Sequence, residues 1–277
     1  MTGRGRFAFV VAALLAAGGP ASAHFLLLYP GDAARMPGGA IELLIAFAHP
    51  FPGAPMMELE KPPGFYVVRQ RGAEAKPEKI DLTRFLQRID FMGTDEKSAA
   101  AYRAALPRQE FRSTGDYVFV VEPAPFYEAT EDKYIQQFTK TVVNIGGVPG
   151  NWDQDVHLPA EIRPLAKPYA NWTGGVFSGV VLSDGKPAPF AEIEVQYMNR
   201  DPDLAAARWQ GEPKVKLPHP AFETVSLRSD AAGVFTIGLP KAGWWGIAAL
   251  AVGPETTFQG KRLSQDAVLW VQARDMK

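Results

Sequence analysis

The stretch Ala191-Glu192-Ile193-Glu194-Val195-Gln196-Tyr197 alternates apolar and polar residues without a break. Successive strand side chains point to opposite faces, so this pattern predicts a strand with one face in a core. The same kind of segment recurs on both sides of it. Residues 176–182 form one such run, closed by the turn sequence Ser183-Asp184-Gly185-Lys186. Beyond a long loop that contains His219 come residues 224–228, the turn Asp230-Ala231-Ala232-Gly233, and residues 234–239. Residues 244–252 and 267–272 complete the set. Short strands at this spacing, separated by Gly-containing turns, predict a small antiparallel sandwich over residues 171–277, immunoglobulin-like or prealbumin-like.

Further toward the N-terminus, residues 25–29, 41–47, 65–68, 116–122 and 138–143 read as strands. Residues 97–106 (KSAAAYRAAL) are rich in alanine and predict a short helix. The Pro-, Gly- and aromatic-rich region 164–175 separates the two halves. The expected fold is therefore mainly β: two β-sandwich domains, 24–170 and 171–277, with a short helical insertion in the first.

Residues 1–23 read as a signal peptide. Arg4 and Arg6 precede the apolar run 7–17, and Ala21-Ser22-Ala23 has the small-x-small pattern of a cleavage site. The run is too short to span a bilayer, which takes about 20 residues. The expectation is an exported, periplasmic protein that is not membrane-embedded and whose mature chain begins at His24.

The 277 residues include no cysteine. That excludes a disulfide framework, a thiolate metal site, an iron–sulfur cluster and a cysteine nucleophile. With 29 Lys and Arg against 30 Asp and Glu, and no basic block interleaved with aromatics, nucleic acid is excluded as a partner. No G-x-S-x-G elbow, P-loop, GxGxxG or H-x-x-x-H pair is present. The acids Glu128, Glu131, Asp153 and Asp155 read as solvated surface rather than a hydrolase pair. The chain is read as a non-enzyme.

Four histidines carry what soft metal chemistry there is: His24, His49, His157 and His219. Cleavage before His24 creates a chelator, because the α-amine and Nδ1 of a terminal histidine can both bind one ion. The amine has an ordinary pKa of about 7.7–8.0, so a metal can displace its proton near neutral pH. His49 ends the run 41–47 at Ala48-His49-Pro50, where Pro50 favours extended backbone. His157 and His219 read as loop histidines.

Several short motifs then act together. They are His24 itself, Ala48-His49-Pro50-Phe51, Met57-Glu58-Leu59-Glu60-Lys61-Pro62, Glu131-Asp132-Lys133-Tyr134-Ile135 with Thr139-Lys140, Pro159 to Leu165, Gly185-Lys186-Pro187, Gly233-Val234-Phe235, and Lys241-Ala242-Gly243-Trp244-Trp245-Gly246. In this order they resemble a family of bacterial periplasmic proteins of unknown domain function linked to nickel and cobalt uptake. Its members look like the periplasmic metal-binding accessory component of energy-coupling-factor-type nickel transporters. The resemblance covers essentially the whole mature chain. It implies a non-enzymatic protein that binds nickel or cobalt and serves a membrane permease, with His24 and His49 as ligands. The chain departs from some members at Gln136-Gln137, where those have a histidine before the Thr-Lys step.

On this reading the His24 amine and imidazole and the His49 imidazole give three nitrogens. Water, the Glu58 carboxylate or the Met57 thioether completes the shell. Such nitrogens also suit copper, which outranks nickel in intrinsic affinity. Two alternatives stand beside it. One is a structural or carbohydrate-binding module using Trp152, Trp172 and whichever of Trp244 and Trp245 faces outward. The other is a copper-binding histidine-brace protein.

Overall fold

A computed structural model describes residues 24–70 and 75–276. The proposed signal peptide lies outside the described residues. The fold is mainly β. Among the described residues the only helical segments are two single 3-10 turns, Thr83–Phe85 and Pro220–Phe222.

The strands form three sheets. The first runs in the order Phe25–Tyr29, Ile41–Ala48, Ser98–Leu106, Leu86–Met92, then Arg208–Gln210 and Asp201–Asp203, with Met56–Met57 added to Ile41–Ala48. The second and largest follows the path Val225–Arg228, Glu192–Tyr197, Gly243–Ala249, Lys261–Arg274, Lys133–Ile145, Gly115–Glu122, Gly64–Arg69, Glu78–Asp81. The third holds Ala160–Pro164, Gly175–Ser183, Lys186–Pro187 and Val234–Leu239.

The long strands Lys133–Ile145 and Lys261–Arg274 join the two halves of the chain in one sheet. They pair in parallel from Lys133 opposite Arg262 to Thr141 opposite Trp270. Parallel pairs are found where both faces are covered, and this one is. On one face Trp270 donates its Nε1–H to the Leu26 carbonyl (2.9 Å) and Trp244 donates to Gly31 (3.0 Å), which lays the strand Phe25–Tyr29 across the sheet. Gly246 makes the approach possible. A Cβ there would stand 2.8 Å from the Trp270 ring and 2.9 Å from Phe25. On the other face Lys140 reaches Glu161 of the third sheet. The result is a layered, sandwich-like arrangement.

The expected helix at 97–106 is a strand, Ser98–Leu106, paired on both sides. Alanine favours helix in isolation, but here its small side chain is what the packing selects. Ala99, Ala100, Ala101 and Ala104 are all buried, and the segment 57–59 passes close enough for Leu59 N–H to bond the Ala100 carbonyl at 3.1 Å. Pairing with Leu86–Met92 over Ser98–Ala104 and with Ile41–Ile45 over Tyr102–Leu106 satisfies its ladder groups between strands, so tertiary context overrides the local preference. Trp244 and Trp245 correct a second expectation, that one of them faces outward. Both are buried, because the sheet they cross is covered on both faces. Trp245 packs on Tyr197 with ring centroids 4.8 Å apart.

Candidate metal centre

Strand register brings two of the sequence candidates together. Phe25 pairs with Ala48 and Leu26 with Phe47 in the antiparallel ladder. Continued by one residue, that register sets His24 opposite His49. The imidazole centroids lie 4.4 Å apart at 49°. Both histidines sit at a strand end, where a rigid ladder positions them and Pro50 ends the pairing. His49 is 4% exposed.

Glu128, read from the sequence as a solvated surface acid, is instead buried beside His24, where the strand Phe126–Glu128 carries it into the interior. The Nε2 of His24 is 3.1 Å from Oε2 of Glu128, with side chains 13% and 10% exposed. Glu128 ends the short strand Phe126–Glu128, which folds back on Lys133–Ile145 with Glu128 opposite Lys133. Its other oxygen, Oε1, accepts the Thr130 N–H (2.9 Å) and the Thr130 hydroxyl (2.6 Å). The local signal was a Glu-x-Thr step ahead of a turn, in which the threonine caps the carboxylate. Phe47 closes the side of the cluster, 5.7 Å from the His24 ring and edge-on to Phe126 at 5.1 Å.

Gln137 clamps the backbone beneath His24. Its Nε2 donates to the His24 carbonyl (2.7 Å) and to Asp266 Oδ2 (3.2 Å), while its Oε1 accepts the Leu26 N–H (2.7 Å). Within the Gln136-Gln137 step, where the resemblance implies a histidine in some members, Gln137 thus supplies the bracket that holds the first strand.

The remaining candidates part company. The short strand Met56–Met57 ends before Glu58, and the neighbours Met57 and Glu58 go to different partners. Met57 stands opposite Phe47 and is buried in the core. Glu58 does not join the histidines: its carboxylate accepts the Ala100 N–H at 3.1 Å. His219 caps a 3-10 turn through Nδ1, which accepts the Ala221 N–H at 3.1 Å. His157 lies in the loop before Ala160–Pro164 with φ +62°.

Burial lowers the pKa of His24 from its ordinary 6.5, against the pull of Glu128. For Glu128 burial acts upward, but the Thr130 hydrogen bonds and the nearby imidazoles outweigh it and hold the carboxyl below its ordinary value. Near pH 7 the site therefore sets a neutral imidazole against an ionised carboxylate. Imidazole nitrogens of this kind fit a borderline transition metal. Among the described residues no three His, Cys, Asp or Glu side chains are arranged to hold an ion. A metal held here needs a donor besides those side chains.

A pair of buried acids lies on the same face of the large sheet. Asp266 is pushed up to about 6 by burial, against hydrogen bonds from Ala251, Ser264 and Gln137. Glu194 is pushed up to about 7, by burial first and then by Glu192, Asp266 and Glu131, with Lys133 opposing. The folded chain holds the Glu194 proton more tightly than the unfolded one. Glu194 therefore costs stability increasingly as pH rises from about 4.5 through about 7. Glu194→Gln is expected to raise the urea midpoint at pH above 7, with the gain shrinking below pH 5. A gain that does not depend on pH would show that the carboxyl is not the cause.

A family model described as a domain of unknown function, DUF4198, matches residues 21–253. No curated protein matches the chain. Among solved structures, native Escherichia coli alpha-2-macroglobulin is 10% identical over 92% of this chain and 14% of its own, with a TM-score of 0.21. Salmonella alpha-2-macroglobulin reacted with methylamine is 10% identical over 90% of this chain and 15% of its own, TM-score 0.23. A Bacteroides uniformis protein of presumed carbohydrate binding is 10% identical over 87% of this chain and 100% of its own, TM-score 0.25. The chain spans well under two thirds of the macroglobulins it matches. Among the described residues no helix is long and apolar enough to cross a membrane.

Proposed function

The chain belongs to the DUF4198 family, and we propose that it is an exported protein that binds one divalent transition-metal ion at His24 and His49 and serves its uptake. The observation that carries this reading is the juxtaposition of the two imidazoles, 4.4 Å apart, at the end of one ladder. Cleavage after Ala23 supplies the donor that side chains alone do not, the α-amine of His24. Amine, His24 imidazole and His49 imidazole then give three nitrogens, and water completes the shell. Nickel or cobalt follows from the sequence resemblance. The donor set itself also accepts copper.

In the same reading, residues 24–170 and 171–277 are two sandwich units that share the large sheet. The first carries the ion. The second braces the strand that presents His24 and offers the surface that meets a membrane permease. The carbohydrate-binding alternative loses one of its three aromatics, since Trp244 and Trp245 are both buried, and keeps Trp172, which is exposed, and Trp152, which is partly buried.

Calorimetric titration of nickel, cobalt and copper into the chain beginning at His24 tests the proposal. One ion per chain is expected, bound far more tightly than about 1 mM, which corresponds to about −4 kcal/mol. His49→Ala should weaken it at least tenfold. Binding no tighter than millimolar for every metal overturns the reading. Oxygen consumption by the copper-loaded chain with a reductant would instead favour a copper enzyme.

A further inference from the structure

We propose that the groove between Val225–Arg228 and Val234–Leu239 is a peptide-binding slot. It takes an extended segment of another protein, apolar at alternate positions, as a strand added to the edge of Val234–Leu239. The proposal involves no metal and does not rest on the reading above. Three observations support it.

The first is the cavity. A groove of about 540 Å³ lies between Val225–Arg228, at the end of the large sheet's path, and Val234–Leu239 of the third sheet. That volume falls in the ordinary range of ligand pockets, about 300–1,000 Å³. Val195 and Trp245 line it from the buried side, Val225 and Leu227 form one wall, and no charged side chain lines it. The second is a pair of open strand edges. Bonded positions alternate along an antiparallel ladder. The Val181 N–H bonds the Gly233 carbonyl at 2.9 Å, so the register makes Phe235, Ile237 and Leu239 the residues bonded to Gly175–Ser183. The backbone N–H and C=O groups of Thr236 and Gly238 then point away from that strand, and both residues line the groove. Across it, the Ser229 N–H bonds the Ala191 carbonyl at 3.0 Å, so the same alternation turns the backbone groups of Ser226 and Arg228 outward. Among the described residues no other strand or loop bonds these groups. The third is charge. Proteins blunt exposed sheet edges with charged side chains, and the far end of the large sheet does so with Glu78, Lys79 and Asp81. Val234–Leu239 carries no charge, and Arg228, the one charge on Val225–Arg228, is turned to Glu192 at 3.5 Å. An added strand would bond Thr236 and Gly238 through its backbone and set every second side chain in the apolar groove, the way strand addition combines affinity with selectivity. Just past Pro240, Lys241 is exposed and has no ion-pair partner among the described residues. It complements an acidic residue at that end of the segment.

The test uses the chain beginning at His24, which holds every described residue, and octapeptides selected on it from a random displayed library. The selected peptides should alternate apolar and polar residues and carry an acid at one end. Amide hydrogen exchange, read by nuclear magnetic resonance, then locates the added strand. In the free chain the Thr236 and Gly238 amides should exchange fast, and a bound peptide should protect both. Gly238→Pro removes an outward N–H and no bond to Gly175–Ser183, the one setting in which a strand tolerates proline. A Cβ at Gly238 meets nothing within 4 Å, so the thermal midpoint should hold. Peptide binding should weaken about tenfold or more, as a hydrogen bond is lost and the ring stands in the edge. Val225→Asp, at a half-exposed position in the groove wall, should weaken binding by a similar factor, and it decides the matter if the proline variant does not fold. Selection of no peptide overturns the proposal. So do Thr236 and Gly238 amides already protected in the free chain, bound peptides that leave both amides exchanging, or binding undiminished in folded Gly238→Pro or in Val225→Asp. Protection that grows with chain concentration in the absence of peptide would make a second copy the occupant, and overturns it too.

Discussion

Lys140→Met is expected to destabilise the fold by about 3–5 kcal/mol, the range for breaking one partner of a buried ion pair. Lys140 and Glu161 have side chains 2% and 1% exposed, and Nζ lies 2.5 Å from Oε1. The same carboxylate accepts the Val156 N–H (2.9 Å) and the Leu158 N–H (3.2 Å). Glu161 thus ties the loop before Ala160–Pro164 to its own strand and to the large sheet at once. With methionine at 140 the volume is kept but the carboxylate loses its counter-charge in a dry layer between sheets. Total stabilities of about 5–15 kcal/mol make this a large fraction of the whole. Urea unfolding followed by tryptophan fluorescence measures it. The double variant Lys140→Met/Glu161→Gln should recover part of the loss, because the uncompensated charge is gone. Recovery should be incomplete, since a glutamine has one acceptor oxygen where two backbone N–H groups now bond a carboxylate. A loss below about 1 kcal/mol for Lys140→Met, the scale of a surface pair, would show that the layer is wet.

The parts of this architecture that were legible are those where one residue type does one job. The strict alternation at 191–197 became the strand Glu192–Tyr197, and residues 25–29 became Phe25–Tyr29 without change. Strands with two polar faces were not legible: Leu86–Met92, mostly exposed, carries no period that separates it from a loop. The alanine run 98–106 was misread for the opposite reason, as its small side chains serve a close approach that no local pattern records. The site divides in the same way. His24 and His49 could be picked out by chemistry and by the cleavage expected before His24, and Pro50 marked the strand end. That they stand opposite one another is a property of the ladder register, set by pairing between residues as far apart as Phe25 and Ala48. Glu128 arrives from a hairpin about a hundred residues away, and Gln137, one of the two glutamines where some members carry a histidine, grips the backbone at His24 and Leu26 and is itself held by Asp266. Glu58, just past the strand Met56–Met57 in a motif-rich stretch, drew attention for its neighbours, but its carboxylate accepts the Ala100 N–H instead.

Adding a single alanine ahead of His24 is expected to weaken nickel and cobalt binding by about 10²–10⁴, the usual gain from linking a second binding group to a first. The extra residue turns the His24 α-amine into an amide, which keeps its proton at neutral pH and is no donor. The new terminal amine lies one residue farther away and cannot close the ring with Nδ1. His24 and His49 keep their side chains, and the ladder that begins at Phe25 keeps its register, so the thermal midpoint should be unchanged. That separates loss of a ligand from loss of structure. The pH dependence adds a second signature. In the chain beginning at His24, affinity should rise as pH passes through about 7.7–8.0, where the free amine gives up its proton. With the added alanine that rise should disappear, since the amine is gone and the His24 imidazole, held below its ordinary 6.5 by burial, has already lost its proton there. If the extended chain binds nickel as tightly as the parent with the same pH profile, the amine is not a ligand. The ion would then have to be held by His24, His49 and groups that the ladder does not bring to them.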